Sequence, residues 1–310
     1  MKKVIATISF VILTVHMVNG QTTPITNQYV LNPISINPAS AGGWGALNLS
    51  TFYGKQWAGV EGAPTTITFS ADAPLLDKKL GLGLMVTSDK IGVTRENQIA
   101  SSYAYRIHME QGVLSFGLGA SIILTNTAFS NLIVIDPGDE IYLTDSRTFV
   151  VPNFSFGMHY SVNNYFVGIS IPRLLSYSFD FTENKYGFDN KIISNYNYLL
   201  NTGYMIDAGE KVKIYPSVLL RYSSIPSSSR FQYDLNAHFC LFDRLWLGGS
   251  YRNNRSAAAL LQVQPSDQLK IAYTYNFELS QLGRYSNGSH EIMLRYLFKY
   301  NVEAINPLNF

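Results

Sequence analysis

The side chains able to do chemistry in this sequence are few and far apart. Five His occur among 310 residues. His16 lies in the amino-terminal leader, and His108, His159, His238 and His290 fall on four different strands or turns. None shows a metal spacing such as two His on one helix face with a Glu between them. His159 and His238 are expected on the inner side of their strands, where a hydrogen-bonded structural role suits an imidazole. Ser289-His290 sets a nucleophile beside a base, as a lipid hydrolase would need. Consecutive strand residues point to opposite faces, however, so the two cannot act together. Gly81, Gly83, Gly117 and Gly119 open no helix after a strand and form no phosphate loop. Their spacing thins one wall of a sheet, letting strands curve or another segment approach. A single cysteine, Cys240, excludes a disulfide scaffold and a Cys-rich metal cluster, and reads as a small apolar residue. The expectation is a protein with no enzymatic step, no cofactor and no metal.

The composition says what holds these residues. Charged residues make up 14% of the chain, well under the ~25% usual in soluble domains. Aromatics are also 14%, with 21 Tyr, 18 Phe and 3 Trp. Past the amino terminus no run approaches ~18 apolar residues, which excludes a helical membrane protein. Residues 1–20 read as a cleaved signal peptide: Lys2 and Lys3 form a basic start, Val4 to Val15 an apolar stretch, and Val18-Asn19-Gly20 precedes the cut. Without Lys2 and Lys3 the chain carries 21 basic and 21 acidic residues. That neutrality gives nucleic acid nothing to bind.

The dominant signal is period two. Leu80-Gly81-Leu82-Gly83-Leu84, Leu114 to Ile122, Leu269 to Phe277 and Ile292 to Phe298 each alternate apolar with small or polar residues. Fourteen such segments fall near 46–56, 65–73, 80–88, 95–106, 112–124, 149–160, 165–173, 196–207, 212–222, 231–241, 245–252, 256–264, 268–277 and 289–299. The connectors at 162–164, 207–210, 243–244 and 266–268 are short; 125–148 and 174–195 are long and polar. Short turns on one side and long loops on the other predict a transmembrane antiparallel β-barrel of about 14 strands over 46–300. Its apolar rows face lipid. Arg106, Arg221, Lys270, Glu291 and Arg295 then face the lumen, and Leu118 and Ser115 fall on opposite sides. Aromatics near strand ends (Phe52, Tyr53, Tyr160, Tyr165, Tyr222, Tyr251, Tyr300) suit an interfacial girdle. The protein is thus expected in the outer-membrane bilayer.

Two segments do not read as strands. Within residues 21–45, Asn32-Pro33 and Asn37-Pro38 are turn pairs, and Ala39-Ser40-Ala41-Gly42-Gly43 is small enough to pack against other backbone. A plug in the lumen, a periplasmic clasp and a plain lead-in all fit. Lys55 to Thr66 lies on the first long-side loop, with Trp57 at an interface position and Glu61-Gly62 as a tight turn. Glu61 reads as a partner-binding carboxylate or, slightly better, as a solvated loop charge.

Three ordered motifs carry a resemblance. Gln28-Tyr29, Asn32-Pro33 and Ile36-Asn37-Pro38-Ala39 with Ala41-Gly42 form the first. Gln56-Trp57 with Glu61-Gly62-Ala63-Pro64-Thr65-Thr66 is the second, and Ser289-His290-Glu291-Ile292-Met293-Leu294 with Tyr296 the third. Over nearly the whole mature chain the sequence resembles the PorP/SprF family, outer-membrane proteins of the type IX secretion and gliding machinery of Bacteroidetes. It departs at Ser40, where the family usually has an aromatic, and in a tail over 301–310. The resemblance implies a barrel that helps deliver or hold large surface adhesins through their type IX C-terminal domain. It also implies periplasmic partners from that apparatus, with Asn37, Pro38, Ala39, Gln56, Trp57, Glu61, Gly62 and Pro64 as the partner-binding or plug motif. The Asn37-Pro38-Ala39 segment and strand number are also similar to FadL-type channels, which implies instead a passive route for small hydrophobic or anionic solutes.

Overall fold

The structure is a computed structural model that describes residues 26–76, 78–131, 145–175, 177–180, 185–188, 196–224, 231–253 and 256–298. The strands follow in chain order. The first seven are β1 (Leu47–Lys55), β2 (Thr65–Leu75), β3 (Leu80–Ile91), β4 (Thr94–Met109), β5 (Gly112–Thr127), β6 (Phe149–Val162) and β7 (Tyr165–Ile171). Then come β8 (Tyr177–Asp180), β9 (Lys185–Phe188), β10 (Asn197–Tyr204), β11 (Ile206–Asp207), β12 (Val212–Ser223) and β13 (Phe231–Leu241). The last four are β14 (Leu245–Arg252), β15 (Ser256–Val263), β16 (Leu269–Glu278) and β17 (Ser289–Phe298).

Neighbouring strands pair antiparallel, β1 pairs with β17, and β10 pairs with β12, so the sheet closes on itself. The result is a 14-stranded barrel. Closure leaves no unpaired edge, which a sheet in hydrocarbon requires. The two-residue β11 follows a break at Met205 and pairs with the same neighbour, β12, as β10 does. The β8–β9 hairpin stands outside the ring, in the connector read from sequence as a loop. β4 and β5, 16 residues each, run past their expected ends because their pairing continues unbroken from Thr94↔Thr127 to Met109↔Gly112.

No helix among the described residues is long and apolar enough to cross a membrane; the strands do the crossing. Leu118 and Val150 are each 63% exposed, and Ile99, Ile122, Phe154 and Ile169 are similarly bare. Ser115, by contrast, is buried on the inner face. Tyr53, Tyr165, Tyr222 and Tyr251 are exposed as an outer girdle requires. Phe52 corrects that expectation: it points inward, 2% exposed, against Ala272 and Met293. Its position in β1 shares parity with Asn48 and Ser50, and that row faces the lumen. Tyr300 and the 301–310 tail lie outside the described residues.

Candidate functional site

Residues 26–45 fold inside the barrel. A single helical turn (Gln28–Leu31) and two 3₁₀ turns (Pro33–Ser35, Pro38–Ser40) make this plug, each 3₁₀ turn opened by a Pro whose missing N–H costs nothing there. Three small apolar contacts seat it. Tyr29 and Ile36 meet Leu199 and Leu219, Ile34 and Ala41 meet Ala104, and Leu31 packs on Phe52, Ala272 and Met293. The inner wall is therefore apolar where the plug lands and polar around it.

Polar groups fix its register. Asn37, 5% exposed, accepts from the Ala39 N–H through Oδ1 (2.9 Å) and donates through Nδ2 to the Met158 carbonyl (3.0 Å). Pro38 and Ala39 are buried beside it. Asn32 Nδ2 donates to Ser70 Oγ at 2.9 Å, and Ser170 Oγ donates to the Ile36 carbonyl at 2.7 Å. Asp72 accepts from the Gly42 N–H (2.8 Å) and from Asn48 Nδ2 (2.7 Å). Tyr29 donates its hydroxyl to Asp234 (3.3 Å) and accepts from Asn236 Nδ2 (3.0 Å). Burial, helped by the Asp234 carboxylate, holds the Tyr29 phenol above its ordinary pKa, which keeps that proton in place. Asp234 is in turn gripped by Arg252 through Nε (2.8 Å) and Nη2 (2.6 Å), a bidentate pair.

The lumen cations divide by task. Arg106, 8% exposed, donates to the backbone carbonyls of Ala41, Lys78 and Leu80, tying the plug to β3. Arg221 faces the interior and donates to Asn197 and Gln232. Lys270 Nζ sits 5.7 Å from the Trp246 ring centre, and the Arg295 guanidinium 3.9 Å from that of Trp44. Glu291, 6% exposed, accepts from the Asn27 N–H (3.1 Å) and from Asn276 Nδ2 (3.1 Å).

The outer loop between β1 and β2 is clasped from both sides. Gln56 N donates to the Pro64 carbonyl at 2.9 Å, closing its base on buried Pro64. Trp57 N donates to Ser289 Oγ at 3.0 Å, and Ala58 exchanges backbone bonds with Gly288 and Asn287, each at 2.7 Å. On the other flank the Gly92 N–H donates to the Gly62 carbonyl at 2.8 Å. Gly62 has φ +71°, which glycine adopts without strain, and a Cβ there would also crowd Gly92 at 3.3 Å. Glu61 is exposed. Trp57 is half-buried, its indole N–H 3.5 Å from Glu278.

The three sequence motifs thus meet at the outer end of β17. Ser289 takes the loop, Glu291 takes the plug, and His290 turns away to a 2.7 Å bond with the Tyr273 hydroxyl. Sequence reasoning missed Asp72, Ser70 and Arg252 as plug-holding residues. Their one signal was a polar side chain on an inner strand row, a property many idle positions share.

The family described as type IX secretion system membrane protein PorP/SprF matches residues 18–296. A search among curated proteins returned no match. Among solved structures the chain is similar to the Acinetobacter baumannii outer membrane protein Omp33, with 7% identity, a TM-score of 0.49, and 82% of this chain and 98% of that one covered. It is also similar to the NanC porin, at 9% identity and a TM-score of 0.41, covering 82% of this chain and 100% of that one. The architecture itself is read from the strand pairing. The match over residues 18–296 means that this chain, an outer-membrane β-barrel, belongs to the PorP/SprF family of type IX secretion system membrane proteins.

Proposed function

We propose that this barrel assists secretion or surface anchoring of large adhesins bearing a type IX C-terminal domain, and that it passes no solute. The observation that carries this reading is the meeting of the plug, the Gln56-to-Thr66 loop and the start of β17 in one bonded assembly. A passive channel needs a lumen with room; this lumen is spent on holding a segment of its own chain. The clasped outer loop is a stiff platform, and a rigid platform lowers the ordering cost of a protein interface. Exposed Glu61 stands on it as the contact for cargo, and machinery components of the periplasm would meet the short-turn side. The FadL-like reading draws on Arg106, Arg221, Lys270 and Arg295 as anion-attracting groups, but Arg106 and Arg221 already serve internal partners.

The test is genetic and biochemical. Deleting the gene is expected to strip a large adhesin from the cell surface and leave small-solute uptake unchanged. Purification in mild detergent is expected to recover an adhesin C-terminal domain or machinery subunits. Glu61→Lys with Trp57→Ala should cut that recovery by roughly tenfold, the scale of one lost interface anchor. A barrel that purifies alone, conducts solute in liposomes and is dispensable for every surface protein would favour the channel.

A further inference from the structure

A cavity of about 310 Å³ lies in the short-turn half of the lumen, under the end of the plug. Lys78, Arg106, His108 and His159 line it together with the hydroxyls of Ser115 and Ser161, and among the described residues no Asp or Glu does. Lys78 and His108 are exposed at the mouth. Arg106 gives three of its five N–H donors to carbonyls and adds its charge, while Lys78, His108 and the serines also line the space.

A second observation points the same way. Trp44 forms part of the cavity wall, and the Arg295 guanidinium stacks on its ring. Arg295 is only 8% exposed, and among the described residues no oxygen accepts from it. Asp72 is the carboxylate that acts on both Arg295 and Arg106. Its two oxygens already accept from Asn48 and Gly42. Asp72 thus offsets part of the charge of the two guanidiniums, while the Lys78 ammonium at the mouth pairs with no carboxylate among the described residues.

We infer that this cavity binds a phosphate group entering from the periplasmic mouth, carried by a free phosphate or by the headgroup of an anionic phospholipid. A phosphate offers three or more acceptor oxygens and takes charge-assisted bonds from ammonium, imidazole and hydroxyl donors at once. The site stands apart from the secretion reading and survives its failure.

Tryptophan emission reads it directly. The chain has 3 Trp, and in a Trp57→Phe protein the two left, Trp44 and Trp246, both belong to this half of the lumen. Inorganic phosphate titrated at constant ionic strength is expected to change the emission saturably. Lys78→Gln with His108→Gln should weaken that response about fivefold or more, as loss of two charge-assisted donors demands. Both positions are exposed, and heat-modifiable gel mobility verifies that the variant is folded. Nanodiscs containing phosphatidylglycerol, set against phosphatidylcholine discs, shift the emission before phosphate is added if a lipid headgroup is the source. The absence of that shift beside a saturable phosphate response assigns a free phosphate. A response that never saturates, or one the double variant retains in full, overturns the site.

Discussion

A Cβ built on Gly117 would lie 2.1 Å from the Ala39 nitrogen and 2.4 Å from the Pro38 carbonyl carbon. One on Gly157 would lie 2.0 Å from Asn37 Oδ1, and one on Gly81 2.0 Å from the Ala41 oxygen. Gly117 and Gly81 are seats for plug backbone, and Gly157 is a seat for the Asn37 side chain. Gly249, on the lipid side, would meet nothing nearer than the Ala258 oxygen at 3.6 Å. Gly117→Val is therefore expected to loosen the plug at a cost of ~1–3 kcal/mol, the usual toll of overpacking, while Gly249→Ala leaves it seated. Proteinase K cleavage within residues 26–45 of the purified barrel measures the difference; equal protection in both variants would mean that the plug does not press on β5. The spacing of Gly81, Gly83, Gly117 and Gly119 was legible as a thinned wall. What fills the gap was not, because Asn37 finds its partner Met158 121 residues away, and no local pattern encodes that distance. The inward turn of Phe52 was legible from strand parity, since it shares a row with Asn48 and Ser50 and its neighbour Tyr53 takes the outer face; only its partner Met293, far along the chain, was not.

At the level of the strand, alternation carries nearly everything. A side chain on the wrong row is exposed to the wrong solvent, so each stave could be read from its own residues. The β8–β9 hairpin escaped because two four-residue strands in a polar connector give too few repeats to stand out. The face assignment makes a sharp test. Leu118 is 63% exposed near the middle of β5, where an Arg costs roughly 2–4 kcal/mol in lipid. Gln98 lies on an inner row of β4 beside a cavity of about 170 Å³. Leu118→Arg is expected to depress the yield of heat-modifiable barrel in outer membranes, and Gln98→Arg to leave it unchanged. Ser115, 3% exposed, lines the cavity under the plug, so an Arg there would change that cavity as well and makes a poorer partner for this comparison. Matching yields for Leu118→Arg and Gln98→Arg would reverse the assignment of faces.

For the whole molecule the issue is whether barrel and plug are one structure or two. The wall closes through β1–β17 and β10–β12 pairing, none of which uses residues 26–45. The plug in turn hangs on side chains spread around the ring: Ser70 and Asp72 on β2, Arg106 on β4, Ser170 on β7, Asp234 and Asn236 on β13, Glu291 on β17. Each such bond contributes about 0.5–1.5 kcal/mol net, more where an ion takes part. Together they hold the segment well beyond thermal release, while loss of any one leaves the others. The seal is thus collective, and removal of one of these bonds should not open it. A chain lacking residues 26–42 is expected to insert and remain heat-modifiable, because strand pairing is untouched, and to conduct in a planar bilayer in discrete open steps. The intact protein is expected to stay closed under the same voltage, and Asp72→Ala alone to stay closed as well. Steady conductance by the intact protein equal to that of the shortened chain would show that the plug leaves the lumen in a membrane, and the solute-channel reading would regain its ground.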